Sequence, residues 1–281
     1  MMLEQTAQHA EPKIVEFANH AFGPLVLKVE RLIMPKIYGV FGAEWREPSP
    51  EQVIPAHVVF AIMAFLICTL GIWLLRGRLS VDSPSRRQQL LELVVEQIRS
   101  MLDQVVGPYG RRYVPVVGSF AVFILVSNLM GLVPGLGAPT ESINVTGALG
   151  LTSFIYYICM GFRQQGLGYL RHFTGGLFGS GIMLSLVGML IFLVEVISNS
   201  VRPVTLSLRL FVNIFADHQI GAVFLNMMPW LVPLFTIVLG VFVSFVQTFI
   251  FIMLSMVYLS ETVPHEEHDS EVQHQAAAGA H

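Results

Sequence analysis

Apolar and polar positions divide this chain into long apolar runs joined by short polar stretches. That pattern has neither the period of two of a half-buried strand nor the single stripe of a soluble helix. The first clean run, VIPAHVVFAIMAFLICTLGIWLL, spans 53–75 with 23 residues, enough for a helix to cross a hydrocarbon core of about 30 Å. Further runs cover 114–133 and 145–161. From 178 to 260 the hydrophobicity is nearly unbroken, with one polar interruption around Asp217–Gly221. Each half of that stretch is about twice the ~20 residues that a perpendicular crossing needs. It therefore holds either two crossings per half, or two long tilted helices, about 178–216 and 220–260, joined as a hairpin. Pro203, Pro229 and Pro233 are the points where those helices would bend. The hairpin gives five crossings and an all-α integral membrane protein. Residues 1–52 are mixed and predict an outside or interfacial segment. Within it, a surface helix over 21–40 would end at Pro35 and Gly39.

Composition sharpens this picture. The 281 residues are 54% hydrophobic and only 12% charged, against about 25% charged in soluble domains. The net charge of −3 matters less than its distribution. Arg76, Arg78, Arg86, Arg87, Arg99, Arg111 and Arg112 crowd the loop after the first run, which places that loop in the cytoplasm by the positive-inside rule. Its segment 84–106 has leucines and valines at helical spacing and reads as an amphipathic connector. The next loop, GLGAPTESINVT, has no Lys or Arg, and the one after it carries Arg163, Arg171 and His172. The amino terminus is then outside, and the polar tail 261–281 is cytoplasmic and disordered. Cys68 and Cys159 lie in separate apolar runs and read as small packing side chains. The tail histidines His265, His268, His274 and His281 match no metal-site spacing. No phosphate-cradling glycine motif or nucleophile–base pattern occurs, so no catalytic residue, cofactor, metal or nucleic-acid partner is expected.

Against that apolar background, EVISNSVRPVTLSLRLFVNIFADHQ (195–219) stands out for its ionisable groups. Such groups at membrane depth cost roughly 2.5–3.5 kcal/mol each on insertion scales, so they default to a functional reading. At about 100° per residue, Glu195, Arg202, Arg209, Asn213 and Asp217 fall within a sector of about 80°, and His218 lies about 100° outside it. Arg209 cannot lose its proton. It either holds a passing carboxylate ionised and blocks a direct proton path, or is a structural cation paired with Glu195 or another acid. Glu195, about 21 Å away along a helix, is either a proton-exchanging carboxylate near the membrane edge or the partner of Arg202. His218, with an unperturbed pKa of about 6.5, is either the one group here able to titrate at neutral pH or a simple hydrogen-bonded residue. Asp217 beside it is either its partner or a mark of the turn. Gln247, in VSFVQTFIFIM, needs a partner when buried, and Arg209 is the one expected.

The segments RPVTLSLRLFVNIFADH and VSFVQTFIFIMLSMVYLSE closely resemble the paired motifs of the a-subunit family of F-type ATP synthases. PSRRQQLLELVVEQI, SNLMGLVPG and PTESINVT are similar to the same family in the same order, so the resemblance covers about residues 50–263. It implies a stator subunit of a bacterial inner membrane that offers two offset half-channels to the carboxylates of a rotating c-ring. The b-subunit peripheral stalk and the whole synthase complex would be its other partners, beside membrane lipid. Arg209 matches the family's arginine that separates the half-channels, and Gln247 the glutamine beside it. Asn213 matches a polar group of the outer half-channel and Glu195 an acidic group on the cytoplasmic side. His218 falls where many members have Glu, while Gly240 stands where those members often have His. The expected exchange has His218 supplying that group, with Gly240 leaving space for its imidazole. In PTESINVT, Ser142 stands where Asp is frequent and Glu141 would substitute. Asp217, Ser198, Arg202, Glu141 and Asn144 are secondary candidates. The competing class is a self-contained ion-coupled secondary transporter, against which the lack of an internal repeat argues.

Overall fold

Lipid offers the backbone no hydrogen-bonding partner, so a spanning chain must satisfy its amides within its own helix. The computed structural model follows that rule throughout the residues it describes, 12–40, 53–76, 85–133, 136–166, 182–227 and 232–262. Helix α1 is Lys13–Val40, α2 Ala56–Arg76, α3 Arg86–Val105, α4 Val114–Met130 and α5 Ile143–Gln165. Two long helices follow, α6 over Ile182–Met227 and α7 over Val232–Ser260. Among the described residues there is no strand, and five helices are long and apolar enough to cross a membrane.

Helix α1 starts earlier than the periodicity indicates and runs through Pro35 to Val40. One proline removes a single amide donor, and the helical turns on both sides carry the chain through. Asn19 ties α1 to the start of α2. Its Nδ2 donates to the Ile54 carbonyl at 3.2 Å and its Oδ1 accepts from the Ile54 amide at 2.8 Å. Helix α2 buries only Phe60 and Ala64 and turns Ile62, Phe65, Leu66, Leu70 and Trp73 outward. That exposure is the pattern of a lipid-facing helix.

Ser85 caps α3 by accepting from the Gln88 amide at 3.3 Å. After Val105 the chain reverses at Gly107, whose φ of 87° lies in the region that glycine adopts at little cost. A short 3-10 turn over Pro108–Tyr113 then leads into α4. Ile98 and Leu102 of α3 pack with Tyr113, Val117, Ile252 and Met256, joining the connector to α4 and α7. Helix α4 lies at the centre, with Phe120 and Ile124 against Leu206, Leu210 and Phe251 of the two long helices. Because lipid tails are as apolar as leucine, tight packing and interhelical hydrogen bonds hold such a bundle together. Ser153 of α5 and Ser255 of α7 make one such bond at 3.2 Å.

Helix α6 has 46 residues, about 69 Å of helix at 1.5 Å per residue. A core of about 30 Å accommodates that length only when the helix tilts or projects beyond it. The turn of the hairpin falls later than the polar interruption indicates. Asp217–Gly221 is helical, α6 continues to Met227 and α7 starts at Val232. Polar side chains lower hydropathy without breaking a helix, and no proline falls between Val204 and Met227. Pro233 sits in the first turn of α7, where a missing amide costs nothing. Pro203 lies inside α6 without ending it, and Pro229 lies outside the described residues.

Candidate functional site

The face of α6 that carries Leu206, Leu210 and Ile214 is buried. The opposite face exposes Val201, Val204, Leu208, Val212 and Phe215. Arg209 is exposed with that second group. It makes no hydrogen bond or ion pair with any other described residue. The pairing of Arg209 with Glu195 or Gln247 that the sequence left open is therefore not formed. Helix α7 likewise exposes Val238, Phe242, Phe245 and Phe249.

Gln247 finds its partner one helical turn further along α6. Asn213 Nδ2 donates to Gln247 Oε1 at 2.6 Å, with Gln247 only 2% exposed. The expectation of an Arg209–Gln247 contact is corrected by the antiparallel register of α6 and α7. Asn213 stands level with Gln247, and Arg202 stands level with Tyr258. Arg209 falls between these two levels. Ser244 and Thr248 beside Gln247 bond to carbonyls of their own helix, at 2.7 and 2.8 Å, and so compete for neither amide.

Toward the other end of the stripe, Arg202 pairs with Glu261 and lies over the Tyr258 ring, 5.0 Å from its centroid. This is not the Glu195–Arg202 pair that the spacing allowed, and the acid that takes Arg202 is 59 residues away in sequence. Glu195 is half-buried and accepts from Asn199 Nδ2, at 3.2 Å on Oε1 and 3.0 Å on its own carbonyl. Asn199 Oδ1 accepts from the Tyr157 hydroxyl of α5 at 3.1 Å. The sequence reading singled out none of Asn199, Tyr157, Tyr258 and Glu261. The four-residue spacing of Glu195 and Asn199 was the available signal for one of them.

Of the remaining candidates, only Ser198, Asn144 and Glu141 have described side chains, and neither Ser198 nor Asn144 hydrogen-bonds to this stripe. Ser198 is exposed on α6. Asn144 is exposed in the first turn of α5. Glu141 is half-buried at the end of a 3-10 turn over Pro139–Glu141 that packs against α2, α5 and α6. Thr140 of that turn is fully buried and donates to Asn128 Oδ1 of α4 at 2.8 Å. Asp217 and His218 lie on the helical course of α6, and their side chains are outside the described residues. The space expected for an imidazole at Gly240 is occupied. A Cβ placed there would meet Leu132 Cδ2 at 2.5 Å, because the chain after α4 folds its leucine over this glycine.

The description "ATP synthase A chain" belongs to the family model that matches residues 57–260. The chain is 38% identical to the ATP synthase subunit a of Aquifex aeolicus over 222 residues, 76% of this chain and 99% of that one. It is 36% identical to ATP synthase subunit a 1 of Syntrophotalea carbinolica, over 73% of this chain and 84% of the relative. With the subunit a of Geobacter sulfurreducens it shares 32% identity over 81% and 96% of the two chains. The match covers α2 to α7 and every residue of the α6–α7 stripe from Glu195 to Tyr258. A multi-helix membrane bundle aligned along nearly the full length of these relatives belongs to the ATP synthase subunit a family, a component of the synthase's membrane sector.

Proposed function

We propose that this subunit is the proton-translocating stator of the membrane sector, with Arg209 facing the carboxylates of a c-ring. The observation that carries the reading is the exposed Arg209 on an apolar face, without an acidic partner among the described residues. A permanent cation at membrane depth is expensive unless a counter-charge meets it. No acid among the described residues reaches Arg209, so in this reading the counter-charge comes from another chain. Arg202, by contrast, has its acid within the chain.

In this scheme a proton enters from outside past His218 and Asn213 and neutralises a rotor carboxylate, which can then face lipid at little desolvation cost. After most of a turn the carboxyl releases its proton toward Glu195 and the cytoplasm. The ionised carboxylate then passes Arg209, whose charge keeps it ionised and bars protons from a direct route. Asn213, held by the buried Gln247, presents the polar group beside that passage. Each charge moved through 100 mV supplies about 2.3 kcal/mol, delivered as torque. A b-subunit stalk would hold the subunit against that torque within the inner membrane, with the amino terminus outside and the tail in the cytoplasm.

Arg209→Ala tests the reading. In inverted vesicles the expected outcome is loss of ATP-driven proton pumping to background while ATP hydrolysis by the soluble head continues. Full coupled pumping in this variant would overturn it.

A further inference from the structure

We propose that Asn199 and Tyr157 are positioning residues that hold Glu195 in place through both of its protonation states. The inference rests on the reading of Glu195 as the cytoplasmic-side proton group. Asn199 directs its amide nitrogen entirely at Glu195, reaching the carboxylate Oε1 at 3.2 Å and the backbone carbonyl at 3.0 Å. Its amide oxygen takes the Tyr157 hydroxyl at 3.1 Å. Rotating the amide by half a turn would set its oxygen against both Glu195 oxygens, so the orientation is fixed from two sides. Tyr157 is itself held. It is 3% exposed, edge-on to Phe154 at 5.2 Å and 5.8 Å from the Tyr258 ring.

The kind of partner decides what this does. An arginine beside Glu195 would favour the ionised carboxylate and hinder its protonation. A neutral amide donor accepts no such bias from charge. With Oε1 occupied by the Asn199 N–H, a proton adds at Oε2 and leaves from it, and the Oε1 bond persists in either state. The acid stays at one site while its proton exchanges. The nearby cation that could have trapped it, Arg202, is engaged by Glu261 and Tyr258 instead.

The test is passive proton conduction in vesicles carrying the full complex stripped of its soluble head, with assembly checked by co-purification of the other subunits. Asn199→Leu keeps the volume and removes the donor, and conduction is expected to fall about tenfold, the scale of one hydrogen bond to a charged group. Asn199→Gln returns an amide donor to the same turn and is expected to recover at least half of the native rate, which a purely packing role would not do. Tyr157→Phe removes one oxygen and is expected to lower conduction about threefold. It carries the test should the leucine variant fail to assemble. Impaired conduction in Glu195→Gln together with native conduction in Asn199→Leu or, if that fails to assemble, in Tyr157→Phe would overturn this inference and leave the role of Glu195 standing. The same holds if the glutamine variant is no better than the leucine variant. Native conduction in Glu195→Gln would remove the role of Glu195 and this inference with it.

Discussion

Asn213 and Gln247 show how one hydrogen bond sets the register of two helices. The pair closes at 2.6 Å with Gln247 buried, so removing one member strands the other in an apolar setting. Interhelical bonds of this kind average about 0.6 kcal/mol in membranes, while an unsatisfied buried group costs about 1–3 kcal/mol. Gln247→Leu is therefore expected to destabilise the subunit by about 1 kcal/mol or more, and Asn213→Leu/Gln247→Leu together by less than either single change. The heat-dissociation midpoint of the purified complex measures this, and additive losses would contradict it. Residue identity was legible in the sequence here, but partnership was not. Arg209, Asn213 and Gln247 all announce themselves as polar groups in apolar runs. Which of them meet depends on the relative heights of α6 and α7, and no spacing within one helix encodes that. The Arg202–Glu261 pair was hidden for the same reason, and Gly240 looked open because Leu132 arrives from a different segment.

Helices α5 and α6 meet where Gly150 faces the one proline inside α6. A Cβ on Gly150 would lie 2.2 Å from Ser207 Oγ and 2.7 Å from the Pro203 carbonyl oxygen. Ser207 Oγ in turn donates to that carbonyl at 2.7 Å. The absence of one side chain thus lets two helix backbones approach, a device common among membrane helices. Gly150→Ala is expected to cost about 1–3 kcal/mol through overpacking. Adding Ser207→Ala should recover only part of it, since the carbonyl oxygen is backbone and cannot turn aside. Full recovery of the dissociation midpoint in the double variant would show that the hydroxyl alone made the conflict. Element positions were largely readable because apolar length is a strict requirement of lipid. The hairpin turn was misplaced because Asp217–His218–Gln219 lowers hydropathy while remaining helical. Polar side chains inside a helix leave its backbone hydrogen bonds intact, and hydropathy does not sense that.

At the scale of the whole molecule, the proposed orientation has five crossings that would put the two termini on opposite sides of the membrane, with arginine-rich loops setting which side is which. The strongest such loop contains α3, whose Arg111–Asp103 pair at 3.4 Å neutralises only one of its cations. With the native Cys68 and Cys159 replaced, single cysteines can report each side. Both native residues lie within crossing helices, Cys159 exposed and Cys68 half-buried, and replacing them leaves the introduced thiol as the only one to score. Ser83→Cys and Ser270→Cys are expected to react with an impermeant thiol reagent in inverted vesicles, and Thr6→Cys and Ser142→Cys in right-side-out ones. The reverse pattern at all four positions would invert the orientation and place Glu195 on the outside, exchanging the two half-channels. Labelling of Thr6→Cys and Ser270→Cys from the same side would instead demand an even number of crossings. Either α6, 46 residues long, would not cross once, or another helix would differ, such as α1, with 28 residues, crossing as well. In the first case Arg209 would no longer lie at membrane depth, and the absence of an acidic partner among the described residues would cease to point to a second chain.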